Sequence, residues 1–99
     1  MRELFSLEDR VAVVTGASSG LGVTFAGALA EAGARVVVAA RRKERLDALV
    51  GELEGKGFEA LAVACDVTDA GTVDEMVRAS LERFGRIDVL VNNAGLSVN

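Results

Sequence analysis

Thr15-Gly16-Ala17-Ser18-Ser19-Gly20-Leu21-Gly22 sets three glycines between a short apolar run and a helical pattern. Each glycine has a physical use at its place. Gly16 permits a tight turn, Gly20 lets backbone come close to a diphosphate, and Gly22 lets helix and strand pack closely. Free N–H groups at the helix start, helped by the helix dipole, favour an anionic ligand. The spacing is not that of an ATPase phosphate loop, which beginning at Gly16 would need Gly-Lys where Leu21-Gly22 stand. Phosphoryl transfer is therefore disfavoured. Such a turn can exist for the turn alone, but a strand before it and a helix after it favour binding.

Three further groups of residues could do chemistry. Asp66-Val67 closes a later apolar run, where an aspartate is either a ligand contact or a turn former. Asn92-Asn93-Ala94-Gly95 closes another, as a polar strand terminus or a binding turn. Arg41-Arg42-Lys43, with Arg45 close behind, follows the second run. The absences constrain more. With no histidine, imidazole acid–base catalysis and histidine-ligated metal sites are excluded, and with no tyrosine there is no phenolic acid. No residue of the chain is assigned a catalytic or metal-binding role.

The elements that must position these groups follow from the pattern of apolar residues. Strands are expected at residues 11–14, 35–40, 59–65 and 87–91, each nearly continuous in Val, Ala, Leu or Ile, as strands covered on both faces are. Helices are expected at about 20–32, 43–54 and 69–84. In the third, Val73, Val77, Leu81 and Phe84 recur on one face, Thr68 is placed to cap the start, and Gly85 to close the end. Gly33 ends the first helix, and Gly55 or Gly57 the second. Alternation of strand and helix implies an α/β fold: a Rossmann-type, doubly wound parallel sheet of order 3-2-1-4.

Taken together, T-G-x-x-x-G-x-G at Thr15–Gly22, Asp66-Val67 and N-N-A-G at Asn92–Gly95 resemble the motifs of the short-chain dehydrogenase/reductase family, in the same order and strand positions. The resemblance covers essentially the whole chain. It implies that residues 1–99 are the amino-terminal dinucleotide-binding part of such an enzyme. Gly16, Ser18, Ser19, Gly20, Leu21 and Gly22 would cradle the diphosphate and adenosine ribose. Asp66 would accept a hydrogen bond from the adenine amino group, with the Val67 backbone nearby. Asn92, Ala94 and Gly95 would line the adenosine-ribose side, and Asn93 would stabilise the strand end. The family's Tyr-x-x-x-Lys pair, its serine and its helix asparagine lie downstream of N-N-A-G. Lys43, Lys56, Ser97 and Asn99 do not match them, so this segment alone is expected to be inactive.

Cofactor choice has a physical argument. NAD-selective sites place an acid about 20 residues beyond the glycines to bind the ribose 2′-hydroxyl. Counted from Gly20 that position is Ala40, and cations follow it. A 2′-phosphate would meet Arg41 first and Arg42 second, with no carboxylate to repel it. Cations at a helix start also oppose the helix dipole by roughly 0.3–1 kcal/mol each, so a compensating anion is attractive. NADP is therefore expected over NAD.

Composition bounds the partners. A net charge of −4 argues against a binder of nucleic-acid backbone. The mixed-charge start is no secretory signal, and no apolar run approaches the roughly 20 residues that cross a bilayer. Cys65 is the only cysteine, so no internal disulfide forms and a reducing, cytoplasmic setting fits. The resemblance implies a small carbonyl or alcohol substrate and a homo-oligomeric parent. Left alone, Val89-Leu90-Val91 would be an apolar edge strand, so the isolated segment is expected to be poorly soluble or partly molten. Two other readings stand beside the enzyme: a non-catalytic dinucleotide-binding or redox-sensing module, and a structural α/β interaction domain in which the glycine turn is incidental.

Overall fold

The computed structural model describes residues 6–18 and 20–96. The elements run β1 (Val11–Thr15), α1 (Gly20–Glu31), β2 (Arg35–Ala40), α2 (Glu44–Gly55), β3 (Ala60–Ala64), α3 (Ala70–Phe84) and β4 (Val89–Asn92), with a 3-10 turn at Asn93–Leu96. The strands form one parallel sheet in the order β3-β2-β1-β4. This is the Rossmann-like, alternating α/β arrangement expected from the apolar runs.

Valine and alanine fill β1 and β2 because both strands are covered on both faces. Every residue of β1 is buried, and so is every residue of β2 after Arg35. Side chains of a strand alternate between faces, so the two layers separate cleanly. Ala12, Val14, Val36 and Val38 meet Ala26 and Ala30 of α1 and Leu46, Leu49 and Leu53 of α2. Val11, Val13, Val37 and Ala39 meet Met76 of α3. Full burial of one such valine contributes about 1.5–3 kcal/mol, and this double coverage fixes the carboxyl ends of β1 and β2 where the glycine turn and the arginines begin.

Helix α3 differs from expectation in two respects. Its start is capped by Asp69, whose Oδ1 accepts the Gly71 N–H at 2.9 Å, and not by Thr68. Gly85 closes its end in the left-handed region, φ 84°. The buried line runs Val73–Met76–Ser80–Phe84, while Val77 and Leu81 are 37% and 46% exposed. Both lines begin at Val73 and end at Phe84. Hydropathy picks the wrong one because Ser80 reads as polar. Its hydroxyl donates to the Met76 carbonyl within the helix at 2.7 Å, so a small serine is buried at no loss of hydrogen bonding.

Smaller shifts lie at the ends. β4 begins two residues later than its apolar run, because Asp88 is held at the foot of β1: its N–H donates to Val11 O and its carboxylate accepts the Val11 N–H, each at 2.8 Å. Gly57, not Gly55, takes the positive φ after α2.

Candidate functional site

All four motif groups lie at or just beyond the carboxyl ends of the strands. A cleft of about 1050 Å³ opens there, at the upper end of the roughly 300–1,000 Å³ of small-ligand sites. Gly16, Ser18, Gly20 and Leu21 form one wall, Arg41, Arg42 and Arg45 another, and Asp66, Val67 and Thr68 a third. Asn93 and Ala94 complete it beside the glycine turn. Ser19 lies outside the described residues, as do Ser97 and Asn99.

The glycine turn is shaped by two close approaches. Gly16 has φ +63°, and a Cβ there would stand 2.9 Å from the Ala94 nitrogen. At Gly22 a Cβ would overlap the Gly16 carbonyl oxygen, so this glycine closes the turn against itself and does not line the cleft. Gly20 is the opposite case: it lines the cleft, and among the described residues no neighbour beyond its own helix lies within 4 Å of where its Cβ would be. The turn therefore keeps its bulk-free side toward open space.

Thr15 and Asn93 lock the turn to the end of β4. The buried Thr15 hydroxyl donates to Asn92 Oδ1 at 3.0 Å and accepts the Ala94 N–H at 3.3 Å. Asn93 donates its side-chain amide to Gly16 O at 3.0 Å. Asn93, read from the sequence as a strand stabiliser, thus both braces the turn and lines the cleft. Asn92 spends its side-chain oxygen on Thr15 and is not among the lining residues. Gly95 falls within the 3-10 turn that follows.

Asp66 stands across from the glycines. Its Oδ1 accepts both the Thr68 N–H at 2.9 Å and the Thr68 hydroxyl at 2.6 Å. Those two hydrogen bonds, the hydroxyl's first, hold the carboxyl below the ordinary aspartate range, and the Arg41 charge adds to the effect. Desolvation opposes them. Among the described residues, nothing donates to Oδ2. The main chain of Asp66 is also pinned, since its N–H donates to Thr72 Oγ1 at 2.9 Å.

The cations are distributed unevenly. Lys43 pairs with Asp47 at 3.6 Å across one turn of α2. Arg41, Arg42 and Arg45 have no carboxylate within ion-pair distance among the described residues, and all three line the cleft. The residue that starts α2, Lys43, supplies no side-chain cap to it. An anion entering here would meet guanidinium groups without first displacing an acid.

Thr68, Arg45 and Cys65 line the cleft without having been assigned to it. Thr68 had a readable signal, because a threonine two residues after an aspartate is the pattern of a side-chain-closed turn. Arg45 follows Arg41 at helical spacing. Cys65 had none beyond its place before Asp66. Chemically, the arrangement offers a bulk-free turn for a diphosphate, an ionised acceptor for a donor group, and cations for a further anion.

Comparison with known proteins agrees. A sequence model described as short chain dehydrogenase matches residues 10–99. A 3-oxoacyl-[acyl-carrier-protein] reductase from a Synechocystis species is 47% identical over 93 residues, covering 93% of this chain and 38% of that protein. A short-chain type dehydrogenase/reductase from Mycobacterium marinum superposes with a TM-score of 0.85 at 42% identity, over 89% of this chain and 36% of that one. A metagenomic short-chain oxidoreductase solved in complex with NADP gives 0.79 at 43% identity, over 85% and 38%. The chain thus spans well under half the length of these relatives. By the reach of the family match and these likenesses, it belongs to the short-chain dehydrogenase family of oxidoreductases.

Proposed function

We propose that residues 1–99 form the dinucleotide-binding domain of an NADP-dependent carbonyl reductase or alcohol dehydrogenase. The observation that carries this reading is one cleft walled by the open side of Gly20, by Asp66 and by three arginines that have no acid partner among the described residues. The glycine turn fits the group by its shape, since Gly20 lines the cleft with open space, among the described residues, where a Cβ would stand. When bound, a nicotinamide dinucleotide supplies the hydride that passes between its ring and a carbonyl or alcohol carbon.

The chain's own residues bind and orient. The amides at the start of α1 face the diphosphate, with Ser18 beside them. Asp66 takes the adenine amino group, with Val67 against the base, and Ala94 and Gly95 flank the adenosine ribose. Arg41 and Arg42 meet the 2′-phosphate, a doubly charged group that guanidinium forks match well. The NADP complex of the metagenomic relative supports that preference. Since the chain has no tyrosine, proton transfer to the substrate falls to residues outside these 99. The parent enzyme is read as cytoplasmic and homo-oligomeric. Among the described residues no helix is long and apolar enough to cross a membrane.

Dissociation constants for NADPH and NADH, measured on the full-length protein, test the reading. Tighter NADPH binding is expected, and exchange of Arg41 for alanine should remove about a tenfold share of that preference. Equal or tighter binding of NADH would refute it.

A further inference from the structure

The two carboxylate oxygens of Asp66 have different surroundings. Oδ1 is taken twice over by Thr68, through the amide at 2.9 Å and the hydroxyl at 2.6 Å. Oδ2 receives nothing from the described residues. The turn is closed below by the Asp69 N–H donating to Asp66 O at 2.9 Å. Thr72 accepts the Asp66 N–H, and its own hydroxyl lies 2.8 Å from Asp66 O. The main chain is thus held by Thr72 and Asp69, while the carboxylate is held by Thr68 alone.

We propose that Thr68 is a positioning residue for purine recognition: it occupies Oδ1 and so presents Oδ2 to the exocyclic amino group of adenine. The inference rests on the reading that Asp66 faces the adenine. Three features of the site support it. Thr68 lines the same cleft as Asp66. A carboxylate with one oxygen fixed by two donors has lost the freedom to turn its plane, so the second oxygen keeps one direction. The same donors lower its pKa further below the ordinary aspartate value, and the ionised acceptor makes the stronger hydrogen bond. Capping of α3 gives Thr68 no alternative duty, because Asp69 performs it.

A purely structural threonine and a positioning one differ in what they do to base discrimination. Hypoxanthine replaces the adenine amino donor with a carbonyl oxygen, which a carboxylate repels. The experiment measures dissociation constants of NADPH and of its hypoxanthine analogue on the full-length protein and on Thr68→Val and Thr68→Ser. Valine keeps the amide bond and removes the hydroxyl. Thr68→Val should weaken NADPH about three- to tenfold and leave the hypoxanthine analogue within about twofold, so that discrimination shrinks. Thr68→Ser should restore it. Equal losses for both cofactors, or discrimination unchanged in Thr68→Val, would overturn the role of Thr68. A wild-type protein that binds both bases equally would remove the Asp66–adenine contact itself, and this proposal with it.

Discussion

The two ends of the sheet each carry an aspartate held below the ordinary carboxylate range, and the two are built for different purposes. At the amino end, Asp88 is fully spoken for. Its Oδ2 accepts the Val11 N–H, while Oδ1 accepts from Arg86 at 3.1 and 2.8 Å and stands 3.6 Å from Arg10. The Arg86 hydrogen bond is the first cause of its lowered pKa, followed by the Val11 amide. At the carboxyl end, Asp66 has one satisfied oxygen and one without a donor among the described residues. The direction of the shift is the same. A lowered pKa therefore does not separate the two carboxylates; what separates them is that Asp66 lines the cleft and keeps an oxygen with no donor among the described residues.

Changes at the carboxyl end should appear in binding, and changes at the amino end in stability. The largest effect is expected at Gly20. Valine there meets no protein atom within reach of its Cβ but lines the cleft and strains a φ of +56°. The strain costs about 1–2 kcal/mol, whereas NADPH binding should fall about a hundredfold by titration, because the side chain would fill space that the proposed function gives to the diphosphate. A melting temperature that collapses while binding persists would reverse the assignment.

Asp66→Asn comes next. Asparagine can still accept at the oxygen beside Thr68 but offers its amide where Oδ2 stood. A loss of about tenfold in NADPH affinity is expected, with the melting temperature nearly unchanged. Asp88→Ala should do the opposite, lowering the melting temperature by removing the acceptor for Val11 and the partner of Arg86 while leaving the NADPH dissociation constant within about twofold. Cofactor binding that follows Asp88 as closely as Asp66 would erase the contrast between the ends.

The smallest effect is on pH dependence. A carboxyl whose folded pKa is lowered adds stability that is present above its unfolded pKa and is lost as pH falls through the folded value. Acidification below the ordinary aspartate range should therefore destabilise the wild-type protein, and Asp88→Ala should show the shallower decline. Parallel melting curves across that range would exclude Asp88 as a contributor.

The carboxyl-end half of this contrast is legible in the sequence, the Asp88 half is not, and the illegible part has a physical cause. The strands, the glycine turn and the placement of Asp66 follow from runs of Val and Ala broken by Gly, Asp and Asn, and the strand order from the alternation of strand and helix. Coverage on both faces, expected of all four strands, holds for β1 and β2 but not for the half-exposed β3 and β4. The buried face of α3 was misread, since Ser80 satisfies its hydroxyl within the helix and hydropathy cannot register that. The Asp66–Val67–Thr68–Asp69 turn was read as a cap at Thr68. Two adjacent capping residues compete there, and only the backbone decides that Asp69 holds α3 while Thr68 turns back to Asp66. The division of labour between Asn92 and Asn93 was hidden for the same reason. Asn92 ends β4 and Asn93 opens the 3-10 turn, and the identity of two like residues does not say where strand gives way to turn.

The most direct test is a crystal structure of the full-length protein with NADPH. The diphosphate is expected against the bend from Gly16 to Gly22, the adenine amino group within hydrogen-bond distance of Asp66 Oδ2, and the 2′-phosphate among the arginines that follow β2. A nucleotide seated elsewhere, with that bend vacant or filled by side chains, would contradict the account.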